Sequence, residues 1–154
     1  MSDEPQVRIP PPLIYAGALV IGGTLQRIAP ESAFASDAWA VAAYAMGAAA
    51  IAIAGWALIT FRRAQTAIEP WKAASQLVTH GPYAYMRNPM YVALTLLTLG
   101  VGLVLDWPWA VALVPVAVIL TDHFVIRNEE AHLAHVFGAA YDDYRARVRR
   151  WGVV

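Results

Sequence analysis

Four uncharged stretches divide the chain into hydrophobic segments separated by short polar ones. They lie at residues 9–26, 38–61, 89–105 and 107–121. The last apolar pattern continues past Asp122 and His123 to Ile126. A helix that crosses a bilayer needs about 20 residues, with a range of about 17 to 25. The pattern therefore predicts an all-α integral membrane protein with four transmembrane helices. Their expected bounds are about 11–28, 38–61, 89–105 and 107–126.

The first hydrophobic segment has the length of a signal peptide as well as that of a membrane helix. Its leading residues, MSDEP, are acidic, and three prolines at 10–12 precede the apolar run. A signal peptide begins with a basic region. We therefore expect a membrane helix here.

The third and fourth segments are separated only by Asp106 and its neighbours. Pro108 suits the first turn of a helix, where a missing N–H costs nothing. These two helices should therefore form a tight antiparallel hairpin, and residues 87–91 and 123–130 should lie at its same open end.

Composition agrees with a membrane protein and excludes several other classes. The chain is 59% hydrophobic and 14% charged, whereas a soluble domain carries roughly 25% charge. The formal net charge is zero, so nothing in the charge balance points to nucleic acid. The lack of cysteine excludes disulfides, thiolate zinc sites and cysteine nucleophiles. The histidines lack the tight spacing of a zinc-protease motif, so we expect no metal.

Basic residues predict the orientation in the membrane. With four crossings, the N-terminus, the 62–88 loop and the C-terminal tail lie on one side. The basic residues on that side are Arg8, Arg62, Arg63, Lys72, Arg87, Arg127, Arg145, Arg147, Arg149 and Arg150. The other side has only Arg27. Since cytoplasmic loops carry an excess of Lys and Arg, both termini should be cytoplasmic.

The tail changes from a membrane pattern to an amphipathic one. Apolar residues recur at helical spacing from Leu133 to Trp151, and acidic and basic residues lie on the other face. This pattern predicts one amphipathic helix over 129–151 that lies on the membrane surface or packs against the cytoplasmic loops.

The segment HGPYAYMRNPMY, residues 80–91, is the first cluster with candidate chemistry. Gly81-Pro82 signals a turn, and Pro89 suits the start of the third helix. Arg87, Asn88 and Tyr91 would then surround a helix N-terminus, which attracts anions. The alternative is a plain loop, with tyrosines at the membrane interface and Arg87 as a positive anchor.

A second cluster lies where the fourth helix leaves the membrane. His123, Arg127 and Glu130 share one helical face, and Glu129 precedes Glu130. Carboxylates at the membrane boundary are costly unless they are paired or solvated. Glu129 and Glu130 could therefore face a cation; the alternative is that they are solvated, with Arg127 as a partner.

Together the two clusters resemble a known family. LVTHGPYAYMRNPMY, followed by the hairpin and then NEEAHLAHVFGAAYDDYRARVRRW, is similar to the membrane methyltransferases related to isoprenylcysteine carboxyl methyltransferase and the phospholipid N-methyltransferases. Those enzymes carry Arg-His-Pro-x-Tyr, a hydrophobic stretch, then Glu-Glu and Phe-Gly-x-x-Tyr-x-x-Tyr. The resemblance covers about residues 60–151, and its upstream part, FRRAQTAIEPWK, looks like a bacterial branch. Two residues depart from the pattern: Asn88 replaces the motif histidine, and Ala93 stands where Gly is frequent.

The resemblance implies a single membrane methyltransferase domain over 1–154 with a cytoplasmic cofactor loop at 62–88, in a bacterial inner membrane. It implies S-adenosylmethionine as cofactor, held without a Rossmann domain, since no Gly-x-Gly-x-x-Gly follows a strand. The implied cofactor-binding residues are His80, Gly81, Tyr83, Asn88, Pro89, Tyr91, Glu129 and Glu130. The implied catalytic residues are Arg87, which would orient the acceptor, and Glu130, which would handle a proton.

The acceptor is expected to be a lipophilic molecule that enters from the bilayer and carries a carboxylate, an amine or a thiol. The alternative is a non-catalytic membrane scaffold or transporter-like protein that retains the family shape. A transporter would favour charged residues within its helices, and the first three predicted helices have almost none.

Overall fold

The computed structural model describes residues 9–64 and 76–152, and these residues form helices and no strand. The α-helices are α1 Pro11–Ile28, α2 Asp37–Ala64, α3 Pro89–Val104, α4 Pro108–Thr121, α5 Arg127–Phe137 and α6 Ala139–Arg147. A 3-10 turn, Gly81–Ala84, precedes α3, and a π-helical segment, Asp122–Ile126, joins α4 to α5. The all-helical prediction is therefore confirmed for this part of the chain; residues 65–75 of the predicted cofactor loop lie outside it.

Prolines mark where three of the helices begin. Pro11, Pro89 and Pro108 each occupy the first position of a helix, where the fixed backbone angle suits the helix and the absent N–H leaves no bond unmade. These helices therefore begin close to the expected residues. Helix α2 is longer than expected, since Asp37 and Arg62–Ala64 extend it beyond its apolar run.

Within residues 9–64 and 76–152, two helical stretches are long and apolar enough to cross a membrane: α2, with 28 residues, and the continuous helix Pro108–Phe137, with 30. Their most apolar 18-residue windows are only 17% and 33% buried, whereas the core helix of a soluble protein would be mostly buried. Large apolar side chains such as Val20, Ile51 and Ile119 are more than 60% exposed. In a water-soluble protein, side chains of this kind are more often buried. Helix α3 is apolar but has 16 residues, and α1 has 18.

The helices run alternately up and down, so their ends form two groups. At one end, Ile14 of α1 and Trp151 of the tail pack on a cluster of Tyr91, Val125 and Ile126. At the opposite end, Asp106 joins the α3–α4 turn to the α1–α2 loop: its carboxylate accepts hydrogen bonds from the Ser32 hydroxyl and from two backbone amides at 2.8 and 3.0 Å. The predicted α3–α4 hairpin is present, and residues 87–91 and 123–130 lie at its open end.

Close contact between α1 and α4 depends on Gly22. A Cβ atom added there would lie 2.4 Å from the Cα of Ala110, whereas one added at Gly17 would meet nothing within 4 Å. Small residues allow this kind of close backbone approach in membrane helices. We expect Gly22→Ala to destabilise the protein by about 1–3 kcal/mol, the usual cost of overpacking. Thermal unfolding in detergent tests this: Gly17→Ala should unfold at the wild-type temperature, and equal effects of the two substitutions would contradict the packing.

The tail is divided into two helices where a single helix over 129–151 was expected. Gly138 separates α5 from α6 with φ 50° and ψ −127°, a conformation that is open essentially only to glycine. Helix α6 ends at Arg147, and Val148 is extended, with φ −118° and ψ 124°. The C-terminal segment, residues 148–152, therefore leaves the helical path and turns back to the α3–α4 hairpin.

A candidate methyltransferase site

The 3-10 turn before α3 is fixed against α2 and positions the Arg87–Asn88–Pro89 corner. Gly81 has φ +63°, and a Cβ atom there would lie 2.5 Å from the Thr60 hydroxyl, so only glycine fits. Tyr83 is buried, with its ring 5.0 Å from that of Phe61 in an edge-to-face arrangement. Asn88 forms the N-terminal cap position of α3 without a side-chain capping bond.

Arg87 and Glu130 form a partly buried ion pair across the hairpin. The Arg87 Nη2 atom lies 3.0 Å from Glu130 Oε1, and the two side chains are 13% and 17% exposed. The Nε atom of Arg87 is buried and has no hydrogen-bond partner among the described residues. The sequence-predicted orienting arginine and the predicted proton-handling glutamate therefore meet, and one donor of the arginine remains available.

Glu129 has a different environment from its neighbour. The Tyr91 hydroxyl donates a hydrogen bond of 3.0 Å to Glu129 Oε2. No ion pair joins this carboxylate to a described residue. Glu129 lies on α5, beyond the apolar stretch that ends at Ile126. Withdrawal from water raises its pKa to about 7; the hydrogen bond from Tyr91 opposes this rise, and the charge of Glu130 adds to it.

The C-terminal segment binds the carboxylates of Glu130 and Asp122. Arg150 donates from Nε to Glu130 Oε1 at 3.0 Å, from Nη2 to Glu130 Oε2 at 2.6 Å and from Nη1 to Asp122 Oδ1 at 2.6 Å. The backbone N–H of Arg87 donates to the carbonyl of Arg149 at 3.0 Å. Asn88 Nδ2 donates to the carbonyl of Arg150 at 3.3 Å. The corner and the tail therefore hold each other in place.

The π-helical segment sets the direction of the carboxylates. The N–H of Arg127 donates to the carbonyl of Asp122, five residues earlier, which makes this turn one residue wider than an α-helical turn. Such wide turns occur frequently at functional sites. Here the wide turn leaves Val125 and Ile126 fully buried against Tyr91, and Asp122, Glu129 and Glu130 all reach the open end of the hairpin.

One of the two tyrosines of the tail motif binds the 3-10 turn that precedes the corner. Tyr141 and Tyr144 are buried, and the Tyr144 hydroxyl donates to the backbone carbonyl of Tyr83 at 2.7 Å. Burial raises the pKa of Tyr141 to about 12, so its hydroxyl stays protonated at neutral pH. Tyr144 therefore has a structural role, since its hydrogen bond joins the 3-10 turn to α6.

The predicted site residues are not all equally close. Arg87, Asn88, Tyr91, Glu129 and Glu130 are joined directly or through the tail. Pro89 begins α3 beside them. Burial raises the pKa of Tyr83, and the nearby charge of Glu129 raises it further. His80 is exposed at the start of the 3-10 turn, and no described contact joins it to the carboxylates. Gly81 acts through the backbone, against Thr60.

Arg150 and its link to Asp122 were missed by the sequence analysis. If the helix continued to residue 151, as the sequence pattern predicts, Arg150 would lie with Arg149 on its polar outer face. The extended Val148 changes this direction and turns Arg150 inward. The only signal in the sequence was the run of basic residues before Trp151, which also fits a cytoplasmic anchor. Among the residues that the structure describes, no group of three or more His, Asp and Glu could hold a metal ion.

Comparison with known proteins shows the family of this chain. The profile of the family described as phospholipid methyltransferase matches residues 38–140, about two thirds of the chain. The chain belongs to the phospholipid methyltransferase family. It is also 38% identical over 74 residues to the protein-S-isoprenylcysteine O-methyltransferase of Schizosaccharomyces pombe. That alignment covers 47% of this chain and 30% of the yeast protein. No solved structure matches the chain significantly.

Membership of this methyltransferase family confirms the resemblance drawn from the two sequence motifs. The matched range includes Arg87 and Glu130 and ends before the C-terminal segment. The family profile therefore covers the hairpin and both polar clusters.

Proposed function

We propose that this phospholipid methyltransferase family member transfers the methyl group of S-adenosylmethionine to a lipophilic acceptor at the cytoplasmic boundary of a membrane. The observation that carries the proposal is the meeting of Arg87 with Glu130, and of Tyr91 with Glu129, at one end of the α3–α4 hairpin. A partly buried set of opposite charges at the edge of an apolar bundle suits a polar cofactor on one side and a lipid-soluble acceptor on the other.

The proposed topology has four crossings, by α1, α2, α3 and α4, with both termini in the cytoplasm. Helix α3 rises about 24 Å at 1.5 Å per residue, shorter than a bilayer core of about 30 Å. Its partner α4 continues through the π-helical segment, so the site lies where the apolar surface ends. The excess of arginine at this end favours the cytoplasmic side, and the resemblance suggests a bacterial inner membrane.

The residues present fit the cofactor. S-adenosylmethionine carries an ammonium, a sulfonium and a carboxylate. Glu129 offers a carboxylate without an ion-pair partner in the described part of the chain, as a cation requires. The Arg87 Nε atom is a buried donor without a hydrogen-bond partner among the described residues, and it lies beside the N-terminus of α3. The free donor and the helix N-terminus both favour an anion. We assign Glu129 to the cationic end, with Tyr91 holding its orientation, and Arg87 with Asn88 and Pro89 to the carboxylate end or to an acidic acceptor.

When bound, the cofactor supplies an activated methyl group on sulfur, so the protein needs to orient the acceptor and to exclude water. A carboxylate acceptor needs no base, and Arg87 would align it. An amine or thiol acceptor must lose a proton. Glu130 is held by Arg87 and Arg150 and is therefore assigned as an orienting group. Because Glu129 is assigned to the cationic end of the cofactor, an amine or thiol acceptor has to lose its proton before it binds.

The class of acceptor follows from the relatives only in broad terms. The family name specifies phospholipid, and the name of the yeast relative specifies the O-methylation of a prenylated cysteine. Both acceptors are lipophilic. Ile119 and Leu120 on α4 and Phe124 in the π-helical segment expose apolar side chains, and this favours an acceptor that arrives through the bilayer.

Calorimetric titration of the purified protein with S-adenosylmethionine tests the proposal first. We expect saturable binding below millimolar cofactor; no binding at millimolar concentration would leave the non-catalytic scaffold as the better explanation. Incubation of native membranes with cofactor that carries a labelled methyl group then identifies the acceptor. We expect label in the lipid-soluble fraction, and label only in water-soluble products would contradict a lipophilic acceptor.

A further inference from the structure

We propose that Arg150 is a positioning residue, which fixes the carboxylate of Glu130 and, through it, the guanidinium of Arg87. This inference rests on the proposed function, because it assigns a role within the same site. Arg150 lies outside the range that the family profile matches.

The contact between Arg150 and Glu130 restricts both groups. Two different nitrogens of Arg150 donate to the two oxygens of Glu130, at 3.0 and 2.6 Å. A planar guanidinium bound in this way prevents a carboxylate from rotating, which a lysine ammonium cannot do. Glu130 in turn has Arg87 at 3.0 Å on Oε1. The direction of Arg87 therefore depends on a carboxylate that Arg150 holds.

Asp122 anchors Arg150 from the other side. The third nitrogen of Arg150 donates to Asp122 Oδ1 at 2.6 Å. The second oxygen of Asp122 accepts from Arg127 at 3.1 Å, but the Arg127 side chain is 61% exposed, so that pair contributes little. The main action of Asp122 on the site therefore passes through Arg150.

The backbone on both sides of Arg150 is tied to the same corner. The carbonyl of Arg149 accepts from the Arg87 amide, and the carbonyl of Arg150 accepts from the Asn88 side chain. Trp151 packs on the cluster that contains Tyr91, the partner of Glu129. Asn88 therefore donates to the tail, and this bond needs no titratable group. Its place in the motif, where relatives have histidine, is consistent with a role in holding Arg150.

Steady-state kinetics of the full-length protein in lipid nanodiscs test the proposal. The variants are Arg150→Gln, Arg150→Lys, Asp122→Asn and the double variant Asp122→Asn/Arg150→Gln. The control is Arg147→Gln, which removes the same charge from an exposed residue at the end of α6. Rates are measured over a range of cofactor and of acceptor-containing membrane, and thermal unfolding is recorded for each variant.

We expect Arg150→Gln to lower kcat about 10- to 100-fold, with a smaller change in KM for the cofactor. Lysine should restore only part of the rate, since it cannot hold both oxygens. Asp122→Asn should have a smaller effect that disappears in the Arg150→Gln background, because residues that act through one another are not additive. Arg147→Gln should keep the wild-type rate.

Two results would overturn the positioning role while the wild-type protein is active. The first is a rate for Arg150→Gln equal to that of Arg147→Gln, or higher than wild type. The second is an effect of Asp122→Asn that persists in full without Arg150. If Arg150→Gln does not fold, Arg150→Lys and Asp122→Asn decide the question. A wild-type protein that neither binds the cofactor nor transfers a methyl group overturns the proposed function itself, and this inference with it.

Discussion

We expect Arg87→Ala to lower methyl transfer by more than about 100-fold while leaving expression intact. The substitution removes the guanidinium that would align the acceptor or the cofactor carboxylate, whereas Glu130 keeps Arg150 as a partner. Loss of correct positioning alone can lower a rate about 100-fold. Transfer of a labelled methyl group in membranes measures the effect.

Glu130→Gln changes the carboxylate partner of the same ion pair. It keeps the shape of the side chain but removes the charge that Arg87 and Arg150 share, and we expect a loss of the same order. Arg147→Ala and Asp143→Asn change exposed charges on α6 and should leave the rate unchanged. Normal turnover in both Arg87→Ala and Glu130→Gln would contradict the assignment of the site.

The second large effect concerns Glu129 and cofactor affinity. A hydrogen-bonded contact to a charged group contributes about 1.5–3 kcal/mol, so we expect Glu129→Gln to weaken the binding of S-adenosylmethionine about 10- to 100-fold. Calorimetry measures this directly. Asp143→Asn serves as the control, because it removes an exposed carboxylate at the same end of the protein. Unchanged affinity in Glu129→Gln would remove the assigned cation site.

The same contact should depend on pH. Only ionised Glu129 attracts a cation, and its pKa of about 7 lies above the ordinary value of 4.5. Affinity should therefore rise with pH up to about 7, and below that it should fall by up to about tenfold per pH unit. Without cofactor the sign is opposite: folding stability is lost as pH rises from about 4.5 to about 7. Glu129→Gln should remove both dependences.

Much of the site could be predicted because it follows from the hairpin. The uncharged runs on either side of Asp106 indicate two helices with almost no loop, and prolines 89 and 108 fix where they begin. Once these helices are antiparallel, Arg87 and Glu130 must lie at one end. The resemblance to the family rests separately on the residues of the two motifs and on their spacing.

The tail could not be predicted in the same way. Its helical spacing runs through Gly138 and Val148 without interruption, although the backbone breaks at both. A glycine within an amphipathic pattern is tolerated in a helix at about 1 kcal/mol relative to alanine, so the pattern alone does not decide. The wide turn at Asp122–Ile126 has no signal in local composition either; it coincides with the packing of Val125 and Ile126 on Tyr91.

A structure determined with S-adenosylhomocysteine bound would locate the cofactor relative to both carboxylates. We expect the amino group of the ligand within about 4–6 Å of Glu129, the range over which opposite charges interact strongly. We also expect the carboxylate at Arg87 and the first turn of α3, with Arg150 still on Glu130. Ligand density at the opposite end, beside Arg27 and Trp107, would contradict this placement.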